Sequence, residues 1–93
     1  MQITEIKIFP VNEEKLKAYV TVTFDNSFVV RDLKVIQGNS RLFVAMPSRR
    51  MKDGSFRDVV HPSNAEMRES LEKAIFDEYN KSLEELKDKS TDS

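Results

Sequence analysis

The chain has 93 residues with 15 Lys and Arg against 16 Asp and Glu, a single His and no Cys, enough for one domain that buries about 60 to 65% of the surface its unfolded form exposes. Without cysteine there is no disulfide framework, no thiolate nucleophile and no sulfur ligand for zinc or an iron–sulfur cluster. No apolar run approaches the roughly 20 residues that span a bilayer and no basic-then-apolar leader opens the sequence, so a soluble, cytoplasmic chain with no membrane partner is expected.

Residues 3 to 9 alternate loosely, with Thr4, Ile6 and Ile8 on one face and Ile3, Glu5, Lys7 and Phe9 on the other, up to Pro10. This predicts a strand. The clearest period-two pattern follows, where Leu16, Ala18, Val20, Val22 and Phe24 alternate with Lys17, Tyr19, Thr21 and Thr23, as in a strand with one apolar face. Asp25 and Asn26 read as a turn. Phe28 to Ile36 is rich in β-branched and aromatic residues and predicts a third strand, with a loop around Gly38 after it. Leu42 to Met46 predicts a short fourth strand and Phe56 to Val60 a fifth, separated by an Asp53-Gly54 turn signal whose glycine tolerates positive φ.

From Met67 the period changes, because Leu71, Ala74, Ile75, Tyr79, Leu83 and Leu86 recur at spacings of three and four, the stripe of one long helix from Asn64 to Leu86. Ser63 with Glu66 three residues on fits a capping box, behind the strand-breaking Pro62. Residues 1–86 are read as a single domain and 87–93, which lack apolar residues, as a flexible tail. The expected fold is α+β, an antiparallel sheet of about five strands followed by the helix. Five strands at about 4.8 Å spacing are wider than a helix of about 10 to 12 Å can cover. A homodimer is therefore expected, through sheet edges or exchanged helices.

Charge is unevenly spread. Arg41 to Pro62 holds five basic residues against two acidic ones, while residues 1–40 balance and residues 63–93 carry five against nine. A field is felt within a Debye length of roughly 8 Å at physiological salt, so the net charge of −1 does not exclude a polyanionic partner. Arg49, Arg50 and Lys52 fall at the expected hairpin tip, with Arg41 and Arg57 flanking them. Arginine offers a planar fork of donors to phosphate or guanine, which makes nucleic acid a candidate ligand. The bland reading is a set of solvated loop charges.

The same residues resemble a known family. FVAMPSRR, a glycine-centred turn, FRDVVHP and a following helix with Arg68 and Glu78-Tyr79, preceded by FVVRDLKVIQGNS, are similar to SpoVG, the stage V sporulation and septation proteins of bacteria, from about Ile3 to Tyr79. The resemblance implies a dimeric regulator that binds DNA and also RNA and affects gene expression, sporulation or septum placement. It assigns nucleic-acid binding to Ser48, Arg49 and Arg50, and the turn to Gly54; Lys52, Arg57 and Arg41 are added in support from their charge. Met51-Lys52 departs from the Thr-Pro frequent in that family and adds one charge to the tip. Nothing carries over beyond Tyr79.

Other chemistry finds little footing. His61 with Ser63 and Asp58 lacks the glycine-flanked elbow of a nucleophile, a lone histidine cannot form a multi-histidine metal site, and Glu66, Glu69 and Glu72 read as the solvent face of the helix. No enzyme, cofactor, metal or small-molecule substrate is expected. Phe43 and Phe56 are candidate base-stacking residues, although alternation places at least one of them in the core, and no aromatic triplet of a single-strand reader is visible. The alternative function is a non-enzymatic protein-interaction module of the cell-division or envelope machinery, docking through a sheet edge or the acidic helix.

Overall fold

The computed structural model describes residues 2–11 and 13–91, with side chains through residue 85. Six strands precede one helix: β1 (Ile3–Pro10), β2 (Leu16–Phe24), β3 (Phe28–Gln37), β4 (Leu42–Ala45), β5 (Ser48–Arg50), β6 (Phe56–Asp58) and α1 (Ala65–Thr91). β1 to β4 form an antiparallel sheet in chain order, and β5 and β6 form a separate two-stranded ribbon. The class is α+β, but the expected five-stranded sheet is corrected to four strands plus a ribbon.

The cause lies at Pro47. Proline has no N–H for a ladder, and β4 ends at Ala45 just before it. The Pro47 carbonyl instead accepts from the Val59 N–H at 2.8 Å, which opens the ribbon. Phe56 to Val60 is thus not a fifth strand of the main sheet, and its pairing partner, Ser48–Arg50, is a strand that no apolar pattern marks.

From Ala18 to Phe24 the apolar alternation of β2 points where it was expected to, while Leu16, expected on the same face, is not in the buried cluster. Ala18, Val20, Val22 and Phe24 are buried together with Val30, Leu33 and Val35 of β3, Val44 and Met46 at β4, and Leu71, Ile75 and Tyr79 of α1. Each fully buried Val, Leu or Ile contributes roughly 1.5–3 kcal/mol, so this one sheet-on-helix layer holds most of the stability.

Three register slips correct the simple alternation, and the one between Leu16 and Ala18 sets Leu16 opposite Ile36 and outside the buried cluster. In β1 the register slips between Ile3 and Glu5, so Ile3 joins Ile6 and Ile8 against the core and Thr4 leaves that face. Its hydroxyl accepts from Asn26 N–H at 2.9 Å and donates to the Thr23 carbonyl at 3.2 Å, pinning the strand to the β2–β3 turn. In β3 a slip between the Val20 and Val22 pairings leaves Asp32 with φ of 67°. Asp25 and Asn26, with φ of 50° and 55°, form the left-handed turn that suits the twist of a hairpin.

α1 starts at Ala65, and its cap is Asn64 rather than the Ser63–Glu66 box. Asn64 Oδ1 accepts from the Met67 N–H at 2.8 Å, because the helix begins one residue later than that box requires. At about 1.5 Å per residue α1 reaches roughly 40 Å, longer than a ten-residue strand. It therefore outruns the sheet, and Leu83, expected on the buried stripe, is 43% exposed. The helical backbone passes the expected end at Leu86 and runs to Thr91; side chains from position 86 on, and with them the side chains of the expected tail, lie outside the described residues.

Candidate functional site

The β5–β6 ribbon stands clear of the core, with every residue from Ser48 to His61 exposed. Its register pairs Ser48 with Asp58, Arg49 with Arg57 and Arg50 with Phe56. Alternation then gives the ribbon two unlike faces. One carries Arg49 and Arg57 side by side. The other carries Arg50 beside Phe56, which is 68% exposed, and Ser48 beside Asp58 nearer the base.

The tip is closed by local chemistry. Gly54 N–H donates to the Met51 carbonyl at 3.0 Å, and Met51 N–H donates to the Ser55 carbonyl at 2.7 Å. Gly54 adopts φ of 89° with nothing within 4 Å of where a Cβ would stand, the left-handed residue after a turn that three-residue hairpin loops use. Lys52 and Asp53 occupy the two central positions. Asp53 is turned inward: its carboxylate accepts from Ser55 N–H at 2.9 Å and from Ser55 Oγ at 2.6 Å. These bonds hold its carboxyl below the ordinary 3.8.

The arginines therefore keep their charge available. The ion pairs among the described residues are Lys7–Glu5, Arg68–Glu72, Lys73–Asp77 and Lys81–Glu78, and none involves Arg41, Arg49, Arg50, Lys52 or Arg57. Of the residues singled out in the sequence, Ser48, Arg49, Arg50, Lys52 and Arg57 are brought together on the ribbon. Arg41 is not. It sits in the β3–β4 loop and lines a shallow depression against α1 with Arg68, Glu69, Glu72 and Lys73.

Phe56 and Phe43 are both exposed, so the expectation that one of them faces the core is overturned. Phe56 rides on the ribbon, away from any apolar layer, and Phe43 alternates with the buried Val44 onto the face of the sheet opposite α1. At the base of the ribbon, Phe28, Val60, Pro62, Met67 and Leu71 are among the walls of an apolar cleft of about 360 Å³, a feature that alternation within one strand does not reveal. Among the described residues no group of three His, Asp or Glu side chains is placed to hold a metal ion, and no helix is long and apolar enough to cross a membrane.

The chain matches the SpoVG family model over residues 1–81. It is 63% identical over 83 residues to the "Putative septation protein SpoVG" of Anaeromyxobacter sp. strain Fw109-5, covering 89% of this chain and 86% of that one. Proteins of the same name from Bdellovibrio bacteriovorus strain HD100 and Clostridium perfringens strain 13 are 62% identical over 86 residues and 55% identical over 82, covering 92% and 87% of this chain and 80% and 91% of theirs. The matched span includes the whole sheet, the ribbon and most of α1, and by it the chain belongs to the SpoVG family.

Proposed function

We propose that the β5–β6 ribbon binds nucleic acid, with duplex DNA as its first ligand and RNA as its second, in a cytoplasmic regulator of gene expression. The relatives' name supports septation as the process it serves, with sporulation as the family's other association. The observation that carries this reading is the Arg49–Arg57 pair, two like charges held opposite each other on an exposed strand pair with no carboxylate in ion-pair range among the described residues. Like charges directly opposite destabilise a ladder. A polyanion offsets that cost when it binds.

A two-stranded ribbon fits the major groove, about 12 Å wide. Arg49 and Arg57 would meet phosphates or the O6 and N7 of guanine from one face, Arg50 and the Ser48 hydroxyl from the other, and Lys52 from the tip. Arg41 lies off the ribbon and would reach only a ligand that bends toward α1. Phe28 and Val60 are exposed at the apolar cleft, and we assign their cover to a second copy of the chain, so that a homodimer presents two ribbons.

Mobility shift of duplex DNA by the Arg49→Glu/Arg50→Glu protein tests the ribbon. Loss of retention with dimer and circular dichroism unchanged is expected. With four to six phosphates neutralised, the wild type should show a slope of log affinity against log salt of roughly −4 to −5. Unchanged retention would send the function to a protein partner in the division or envelope machinery, and light scattering of a monomer at micromolar concentration would remove the dimer.

A further inference from the structure

Helix α1 covers only one face of the four-stranded sheet, and the register assembles a second surface on the other. Phe9 is the partner of Tyr19, Tyr19 of Lys34 and Lys34 of Ala45, so these four residues form one row across the sheet. Ile36 and Phe43 are paired in the next row on the same face. Phe9, Tyr19 and Phe43 are 53%, 41% and 38% exposed. Exposed aromatic rings gathered on one flat face are the informative exception to ordinary burial.

The three rings are spaced for separate partners. Phe9 and Tyr19 are adjacent, and Phe43 lies two strands over and two residues along from Tyr19, roughly 12 Å away. Phe43 is also propped in place. A Cβ on Gly38 would come within 3.3 Å of its Cδ1 and Cε1, so the ring rests on the bare backbone of that glycine.

The charge on this sheet is positive as well. Its four strands carry Lys7, Lys17, Arg31 and Lys34 against Glu5 and Asp32, and Glu5 is engaged by Lys7 at 3.6 Å. Lys34, half-buried at the centre of the aromatic row, has no ion pair among the described residues. A second copy laid face to face here would trap two such lysines, and the acid on the same face, Glu5, is already engaged by Lys7, so that burial is costly. Flat rings interleaved with cations are instead complementary to unpaired bases linked by phosphates.

We propose that this open sheet face is a second nucleic-acid site, separate from the ribbon and selective for single strands, with bases stacked on Phe9, Tyr19 and Phe43 and the phosphates drawn to Lys34. A paired duplex hides its base faces and gains nothing from the rings. The site does not depend on the ribbon reading, and the two are separable by substitution.

Fluorescence anisotropy of a 12-nucleotide uridine RNA tests it in four proteins: wild type, Phe9→Ala/Tyr19→Ala, Arg49→Glu/Arg50→Glu, and the combination. Removal of each stacking ring should weaken single-strand binding roughly 5- to 100-fold in either ribbon background, with duplex affinity unchanged by the aromatic pair. Cross-linking of a 5-iodouridine oligonucleotide to the unmodified protein, which needs no variant to fold, should label peptides containing Phe9, Tyr19 or Phe43. Unchanged single-strand affinity in the aromatic variant, cross-links confined to the ribbon, or abolition by the ribbon substitutions alone would overturn the proposal. So would a fall in molar mass by light scattering without loss of RNA affinity, which would make this face a contact between copies.

Discussion

Arg49 and Arg57 are register partners across the β5–β6 ribbon and project from the same face of it, with neither in an ion pair among the described residues. Nothing in the ribbon's own stability favours that arrangement, since a β-branched or oppositely charged partner at either position would pair better.

Replacing one member of the pair should therefore separate stability from binding. In Arg57→Thr, hydrogen-exchange protection of the ribbon amides should rise by about a few tenths of a kcal/mol. The salt dependence of duplex binding should become shallower by about 0.9 for each phosphate that the variant no longer neutralises. A ribbon gaining protection while its salt slope stays put would mean that the paired charges do not touch the ligand.

Asp53 gives the tip a pH dependence of known sign. Its carboxyl is held below the ordinary 3.8, chiefly by the Ser55 hydroxyl and then by the Ser55 N–H. A carboxyl depressed in the folded turn stabilises that turn above its unfolded value, and the contribution disappears as pH falls through the folded one. The Ser55 amide resonance should thus titrate with a midpoint under 3.8, and the turn should be indifferent to pH above it. Asp53→Asn keeps an acceptor for Ser55, should abolish that titration, and should bind polyanions more tightly because the tip loses its one negative charge. A Ser55 midpoint at or above 3.8 would contradict the hydrogen bonds.

Asp32 occupies the left-handed region at φ of 67° inside β3, where a branched side chain is strained and glycine is not. Asp32→Val should cost about 1–2 kcal/mol. Asp32→Gly should be neutral or mildly stabilising. Urea titrations with unchanged slope and a shifted midpoint read both directly, and equal midpoints for the two variants would mean that the bulge relaxes when residue 32 is replaced.

How far these features were visible in the chain depends on what fixes them. Val20 and Val22 were legible because burial on one face imposes a period of two, and Ile75 and Tyr79 because a helix buries residues at intervals of three and four. Ser48–Arg50 was not legible as a strand, since all its side chains are polar and its pairing is set by the turn at Gly54 rather than by a core. Phe56 to Val60 misled for the converse reason: its apolar residues look like a core strand, yet Pro47 has already taken the chain out of the sheet. The arginine cluster was visible from local charge, but Arg41 belongs to another surface that only the fold separates from it. Phe9, Tyr19 and Phe43 lie on three different strands, and no pattern within one strand brings them together. Register does that.

The helix start offers the sharpest contrast between two adjacent residues. Ser63 matches the sequence pattern of a capping box, but Asn64 is the residue whose Oδ1 takes the Met67 N–H at 2.8 Å, and its own carbonyl accepts from Arg68 at 3.2 Å. An N-cap replaced by alanine leaves a backbone donor of the first turn without its partner. Asn64→Ala should therefore cost about 1 kcal/mol, lowering the Tm of a domain this size by roughly 4–8 °C. Ser63→Ala, one residue outside the helix, should stay within about 0.5 kcal/mol of the parent. Thermal unfolding followed by circular dichroism at 222 nm measures both, and a larger loss at Ser63 than at Asn64 would move the cap back by one residue and restore the box with Glu66.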